Sequence, residues 1–323
     1  MSGISKKGRN AAYFGGWKFL ALLAGILALL FWRSFLPGYV HFSNDGPLGQ
    51  QNVAWNRVAT SMTGAWDDLN DVGFNAGTGS PTVTALLKFV LGPVGYAKFY
   101  PPAALLILGL GAWAFFRSLK LVRLAAALGA LAVTLSSSFF AGACWGIASA
   151  EIAMGFVFMS LALVFANDHE TSRPVYWARL ALAGLCVGVN VMEGADVGML
   201  CSILVAGIIF YLSLLDSGKT VISRTARGVG QVAIVAVFAG FISVQTVVSL
   251  VETSIVGIAG TGQDAASKAE HWDFATQWSV PKMETLGMVV PGLFGYRMDT
   301  PQDMLPALQD AYRGCMEWGG MGR

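Results

Sequence analysis

The residues best suited to chemistry in this chain are carboxylates at turns and at the edges of apolar runs. Asp45 stands in Ser43-Asn44-Asp45-Gly46-Pro47, a succession of types that makes a tight turn. A carboxylate held on such a turn can take a proton from an acceptor hydroxyl or bind a metal. It can equally bond the turn's own backbone or cap the next helix, and both readings stay open. Asp67, Asp68 and Asp71 form a second group whose i,i+3 and i,i+4 spacing allows a metal pair and also describes a solvated helix face. Glu151 lies inside an apolar run, and Glu193 and Asp196 flank Gly194-Ala195. All three are candidate substrate-binding residues, with snorkelling, turn or N-cap duties as the plain alternative. Lys88 and Lys282 are candidate cations for an anionic group, with Lys98, Arg297, Arg57 and Arg33 as further ones, and an ordinary interfacial snorkelling or solubilising charge is the simpler reading of each.

Recognised motifs add no reaction to this. His41, His169 and His271 show no metal spacing, and no GxSxG, HExxH, Walker or dinucleotide pattern occurs. Cys144, Cys186, Cys201 and Cys315 form no CxxC, which indicates neither a zinc site nor a disulfide framework. Neither a metal nor a cofactor is named by the sequence.

The elements that must position these carboxylates are membrane helices. Of the 323 residues 55% are apolar and 12% charged, which excludes an ordinary soluble enzyme, where roughly 25% are charged. Leu124 to Asn167 holds one charge, Glu151, and Gly228 to Val251 holds none. About 20 apolar residues cross the hydrocarbon core as a helix. The pattern predicts seven spans, near residues 17–36, 99–116, 124–142, 147–166, 180–192, 197–215 and 229–251. A net charge of +2 without a basic stripe argues against nucleic acid as a partner.

Positive residues orient the bundle. With the N-terminus inside, residues 1–18, 117–123, 167–179 and 216–227 carry 12 Lys and Arg, whereas 37–98, 193–196 and 252–323 carry 8. The expectation is a multi-pass cytoplasmic (inner) membrane protein, N-terminus cytoplasmic and C-terminus extracytoplasmic. Lys6, Lys7 and Arg9 precede the first span, and no small-x-small cleavage site follows it, so it reads as an uncleaved anchor. The membrane domain is then 1–251, including the extracytoplasmic loop 37–98, and 252–323 is an extracytoplasmic tail. Sorted by side, the inner segments carry +9 and the outer ones −7. The acids therefore collect outside.

Within the first outer loop, Trp55, Val58, Met62, Trp66 and Leu69 recur at steps of three or four, predicting an amphipathic helix against the membrane surface. Residues 83–94 are apolar but too few to span, and read as re-entrant or interfacial. Pro101-Pro102 suits the first turn of the second span.

An uncleaved first span, a large first outer loop opening on an acidic turn, an amphipathic helix and then spans on short inner loops together resemble the GT-C superfamily of membrane glycosyltransferases. Within it the chain is most similar to the bacterial YfhO-like membrane proteins. Asn44-Asp45-Gly46-Pro47-Leu48-Gly49 carries the match, with Phe274-Ala275-Thr276-Gln277-Trp278-Ser279-Val280-Pro281 and its continuation through Glu284 to Pro291-Gly292-Leu293-Phe294-Gly295. Members of that family are longer, with further spans and an outer domain, so the chain is expected to be a truncated piece holding the core.

The resemblance implies an all-α integral membrane fold with a GT-C-like core. It also implies transfer of a sugar from a polyprenyl-phosphate carrier to an envelope glycan or protein acceptor on the outer face, with Asp45 as catalytic base. On this reading Asp45 faces a cavity open to water and sideways to lipid, and Trp272 and Trp278 could stack on a sugar, with interfacial anchoring as the simpler explanation of both. The alternative is a non-catalytic scaffold or assembly protein of the cell envelope. A proton-linked carrier built on Glu151, Glu193 and Asp196 is disfavoured by the scarcity of mid-membrane charges.

Overall fold

The computed structural model describes residues 15–52, 55, 81–167, 172–215 and 220–251, with 269, 272, 273 and 286 beyond them. Two compact units divide the chain, Met1–Leu250 and Val251–Arg323. The first is all-helical among its described residues.

Among the described residues nine helices follow one another: α1 (Gly16–Leu30), α2 (Trp32–Phe35), α3 (Val83–Ser118), α4 (Arg123–Thr134), α5 (Ser137–Trp145), α6 (Ala148–Phe165), α7 (Arg173–Glu193), α8 (Ala195–Leu214) and α9 (Val221–Leu250). Five of them, α3 and α6 to α9, are long and apolar enough to cross a membrane. The pair α4 and α5, bent by 48°, would make a sixth, and α1 is a shorter apolar helix. Their large exposed side chains, such as Leu200, Ile203 and Phe241, suit a lipid surround.

Several boundaries differ from the sequence reading, each for a local reason. The third apolar run does not continue straight from 124 to 142. Thr134 turns its hydroxyl onto the Ala130 carbonyl at 2.8 Å, and Ser136 accepts from the Phe139 N–H to cap a new helix. The stretch 83–94 is joined to the second span in one 36-residue helix, broken at Gly92, whose φ of +64° and ψ of 176° leave the helical region. Pro101 and Pro102 consequently stand inside α3 and not in its first turn.

Close helix approach at glycine holds the bundle together. α3 and α6 cross where Gly111 meets Gly155, and a Cβ at Gly111 would overlap the Gly155 carbonyl. Small residues allow the backbones to come within van der Waals contact, which substitutes for hydrophobic drive in lipid. Gly184 against Val235 and Gly188 against Ala239 and Ile242 do the same for α7 and α9. On α1 the stripe Phe19, Leu23, Leu27 faces α3, with Leu23 entering the space that Gly109 leaves and Phe19 stacked on Trp113 at 5.8 Å.

These pairings fix direction. α1 runs opposite to α3, matching Gly16 with Trp113 and Phe35 with Phe99. α6 runs with α3, α7 against α6, and α9 with α7. One end of the bundle therefore gathers residues 35–48, the start of α3, the α5–α6 corner and the α7–α8 corner. All four described carboxylates of this unit lie there: Asp45, Glu151, Glu193 and Asp196. The opposite end holds Arg117, Lys120, Arg123, Arg173, Arg179, Arg224 and Arg227. Several of these cover helix C-terminal carbonyls, as Arg179 does at Ala166 (2.6 Å) and Arg224 at Leu214 (3.2 Å).

Candidate functional site

The acidic turn is docked on the corner between α5 and α6. The last carbonyls of a helix have no partner within it, and those of α5 are taken by the turn. His41 Nε2–H donates to the Cys144 carbonyl at 2.9 Å, and the Ser43 hydroxyl donates to the Trp145 carbonyl at 3.1 Å. Asp45 N–H donates to the same Trp145 oxygen at 3.0 Å. Gly146 makes the approach feasible. Its φ of +124° is one that L side chains rarely adopt, and a Cβ there would overlap Ser43 Oγ and come within 3.1 Å of Asp45 Cβ and N. The Asp45 side chain is exposed, with Oδ1 accepting from the Asn44 amide at 3.0 Å.

Beside the turn lies a small, open cleft. Its lining comes from the turn (His41, Ser43, Gly46), from Gln51, from α3 (Tyr96, Tyr100, Pro101) and from Gly146 at the corner. Asp45 stands in the chain between the lining residues Ser43 and Gly46 but is not itself in the wall. The sequence reading has its side chain facing a cavity, whereas the exposed side chain forms no part of this wall.

A polar chain crosses α3 to reach the end of α7. Glu193 accepts from the Thr84 N–H (3.0 Å) through Oε1 and from the Thr84 hydroxyl (2.6 Å) through Oε2. Thr84 sits in the first turn of α3, where backbone N–H groups are unpaired and negative charge is favoured by the helix dipole. The Thr84 hydroxyl also lies 2.8 Å from the Tyr100 hydroxyl, and Tyr100 stacks on Tyr96 at 4.3 Å. Lys88 completes the chain with its ammonium 5.3 Å from the Tyr96 ring centre, a cation–π distance. Both Glu193 oxygens are thus occupied by Thr84, and the group acts as a latch between α7 and the N-terminal arm of α3.

Glu151 is 2% exposed in the first turn of α6, with its carboxyl against Gly142 of α5. Its Oε2 has no hydrogen-bond partner among the described residues. Asp196 is exposed in the first turn of α8. Lys98 donates to the Leu36 carbonyl at 2.8 Å, and Arg33 lies over the Trp32 ring at 5.8 Å. Lys282, Arg57, Arg297, Asp67, Asp68, Asp71 and Trp278 lie outside the described residues. So does the predicted amphipathic helix beyond its start at 48–52 and Trp55.

The structure thus brings Asp45, Lys88, Glu151, Glu193 and Asp196 to one end, and none of the five is among the residues that line the cleft. Three wall residues were not singled out in the sequence: His41, Gln51 and Tyr100. The i,i+4 pair Tyr96 and Tyr100 was visible there as an aromatic stripe on α3, and His41 as the one histidine close to the acidic turn. No family model, curated protein or solved structure matches this chain.

Proposed function

We propose that the chain is a GT-C-type membrane glycosyltransferase, or the core of one, with seven membrane passes in which α1 and the bent α4–α5 pair each count as one. It moves a sugar from a polyprenyl-phosphate carrier to an envelope acceptor on the outer face. The observation that carries this reading is the Asp45 turn, fastened by three hydrogen bonds to the α5–α6 corner beside a cleft at the acid-bearing end. A carboxylate so held has a fixed position and an open side, which general-base catalysis requires.

In the proposed step the acceptor oxygen forms a bond to the anomeric carbon as the bond from that carbon to the carrier phosphate breaks. The acceptor proton passes to Asp45, and the phosphate leaves with the electron pair. Lys88, half-buried at the same end, would offset the phosphate charge. The opposing end, rich in arginine, supports a cytoplasmic placement of that end by the positive-inside rule, and so an extracytoplasmic site in an inner membrane.

The test is transfer of radiolabelled sugar from polyprenyl phosphate to an envelope glycan by the full chain in proteoliposomes. Labelled acceptor is the expected product. Failure of any donor and acceptor pair to react, with donor binding absent as well, removes the reading.

A further inference from the structure

The arginines at the basic end of the bundle are put to two uses. Arg179 and Arg224 close helix ends by donating to the Ala166 and Leu214 carbonyls. Arg227 of α9 lies instead over the ring of Tyr176 on α7, its guanidinium carbon 5.6 Å from the ring centre. Tyr176 is fixed in turn, because its hydroxyl accepts a hydrogen bond from the amide of Gln231, a buried residue one turn further along α9. Arg173 precedes Tyr176 by one turn of α7, and side chains three apart on a helix are neighbours. It is exposed, and no described residue pairs with it. Two arginines thus adjoin one ring, and among the described residues of this unit no Asp or Glu lies at this end to offset them.

Chemistry and depth together select the anion that fits. A stacked guanidinium keeps its five N–H donors in one plane, a fork that phosphate oxygens meet in pairs. α7 has 21 residues. That is about 32 Å at 1.5 Å per residue, against roughly 30 Å of hydrocarbon to cross. Its start, with Arg173 and Tyr176, therefore reaches headgroup depth, where the exposed Trp177 against Tyr176 also belongs. Further along, Phe238 of α9 has its Cβ against Gly184 of α7, and Phe238 is exposed, as are Val229 and Val237. A lipid whose headgroup is held at the arginines thus has an apolar surface on which to lay its chains. Basic pockets between membrane spans bind anionic headgroups in this way.

We infer that this corner of α7 and α9 binds the headgroup phosphate of an anionic phospholipid, with Arg227 and Arg173 donating to its oxygens. A zwitterionic headgroup brings its own ammonium to the two arginines and binds more weakly there. The bound lipid ties the start of α7 to the start of α9. The site lies at the opposite end of the bundle from Asp45, so it stands or falls apart from the transferase reading.

The test follows lipid adducts on the full chain in detergent by native mass spectrometry, with phosphatidylglycerol as the probe and phosphatidylcholine of the same chains as the control. The tightest site is expected to prefer phosphatidylglycerol by about tenfold. Arg173→Gln and Arg227→Gln should each remove most of that preference. Lys120→Gln, which deletes an exposed base between α3 and α4 at the same end, should leave it unchanged. Arg173 is exposed, so its variant decides the matter if Arg227→Gln disturbs the packing of α7 on α9. Inorganic phosphate at the concentration of the lipid should not compete. Equal binding of the two lipids, an unchanged preference in Arg173→Gln, an equal loss in Lys120→Gln, or displacement by inorganic phosphate overturns the inference.

Discussion

Replacing Gly146 with alanine should release the acidic turn from the bundle without unfolding it. Two terms set the magnitude. An L residue held at φ +124° is strained by about 1–3 kcal/mol. The added Cβ would also overlap Ser43 Oγ and press to 3.1 Å on Asp45 Cβ and N, so the turn must move and release hydrogen bonds worth about 1 kcal/mol each. Docking of residues 41–46 should therefore weaken by about 3 kcal/mol, or roughly a hundredfold in the closed-to-open ratio. Hydrogen exchange in nanodiscs reads this directly, because the Asp45 amide, bonded to Trp145 at 3.0 Å, exchanges only when the turn lifts. Its exchange should accelerate by about that factor while amides of α6 and α7 stay protected. Gly38→Ala separates the two terms, since Gly38 has φ +78° but nothing within 4 Å of a Cβ. That variant should leave Asp45 exchange unchanged. An Asp45 amide equally protected in Gly146→Ala and the parent would refute the docking argument.

Other perturbations test separate joints of the fold. Gly111→Ala should lower thermal stability in detergent by about 1–3 kcal/mol through overpacking against the Gly155 backbone, whereas Gly25→Ala, with nothing within 4 Å, should be close to neutral. Thr84→Val removes one donor to Glu193 and the link to Tyr100, so denaturation should show a loss of about 1–3 kcal/mol that Thr84→Ser restores. Glu151→Met should hold or raise the melting temperature, because it replaces a buried carboxyl with an unpaired oxygen by an apolar chain of similar length. A marked fall in that variant would mean that the carboxyl has a partner.

How far the sequence reaches differs from element to element. The apolar runs of α6, α8 and α9 declare membrane helices because lipid demands uninterrupted apolar length and internal backbone bonding. The Asn44-Asp45-Gly46-Pro47 turn was likewise legible, since those types impose a local bend. Its seat was not, as His41 bonds a carbonyl 103 residues away. The Glu193 latch joins residues 109 apart for the same reason, so a carboxylate read as a candidate ligand turns out to hold a helix N-terminus. The bend between α4 and α5 carries neither glycine nor proline and arises from hydroxyls returning to the backbone, a choice that local propensity leaves open. In α3 the glycine at 92 was visible as a residue, but its φ, and with it the joining of arm and span, depends on packing.

The proposed role of Asp45, as base of a sugar transfer at this end of the bundle, is open to a direct comparison. Parallel transfer assays on the parent chain and Asp45→Asn in proteoliposomes, with exchange of the residue-45 amide checked to show that the turn stays docked, make it. Transfer by the parent and a loss of about 10²–10⁴-fold in the variant, with donor binding retained, are expected. Equal transfer by the two proteins rules the role out.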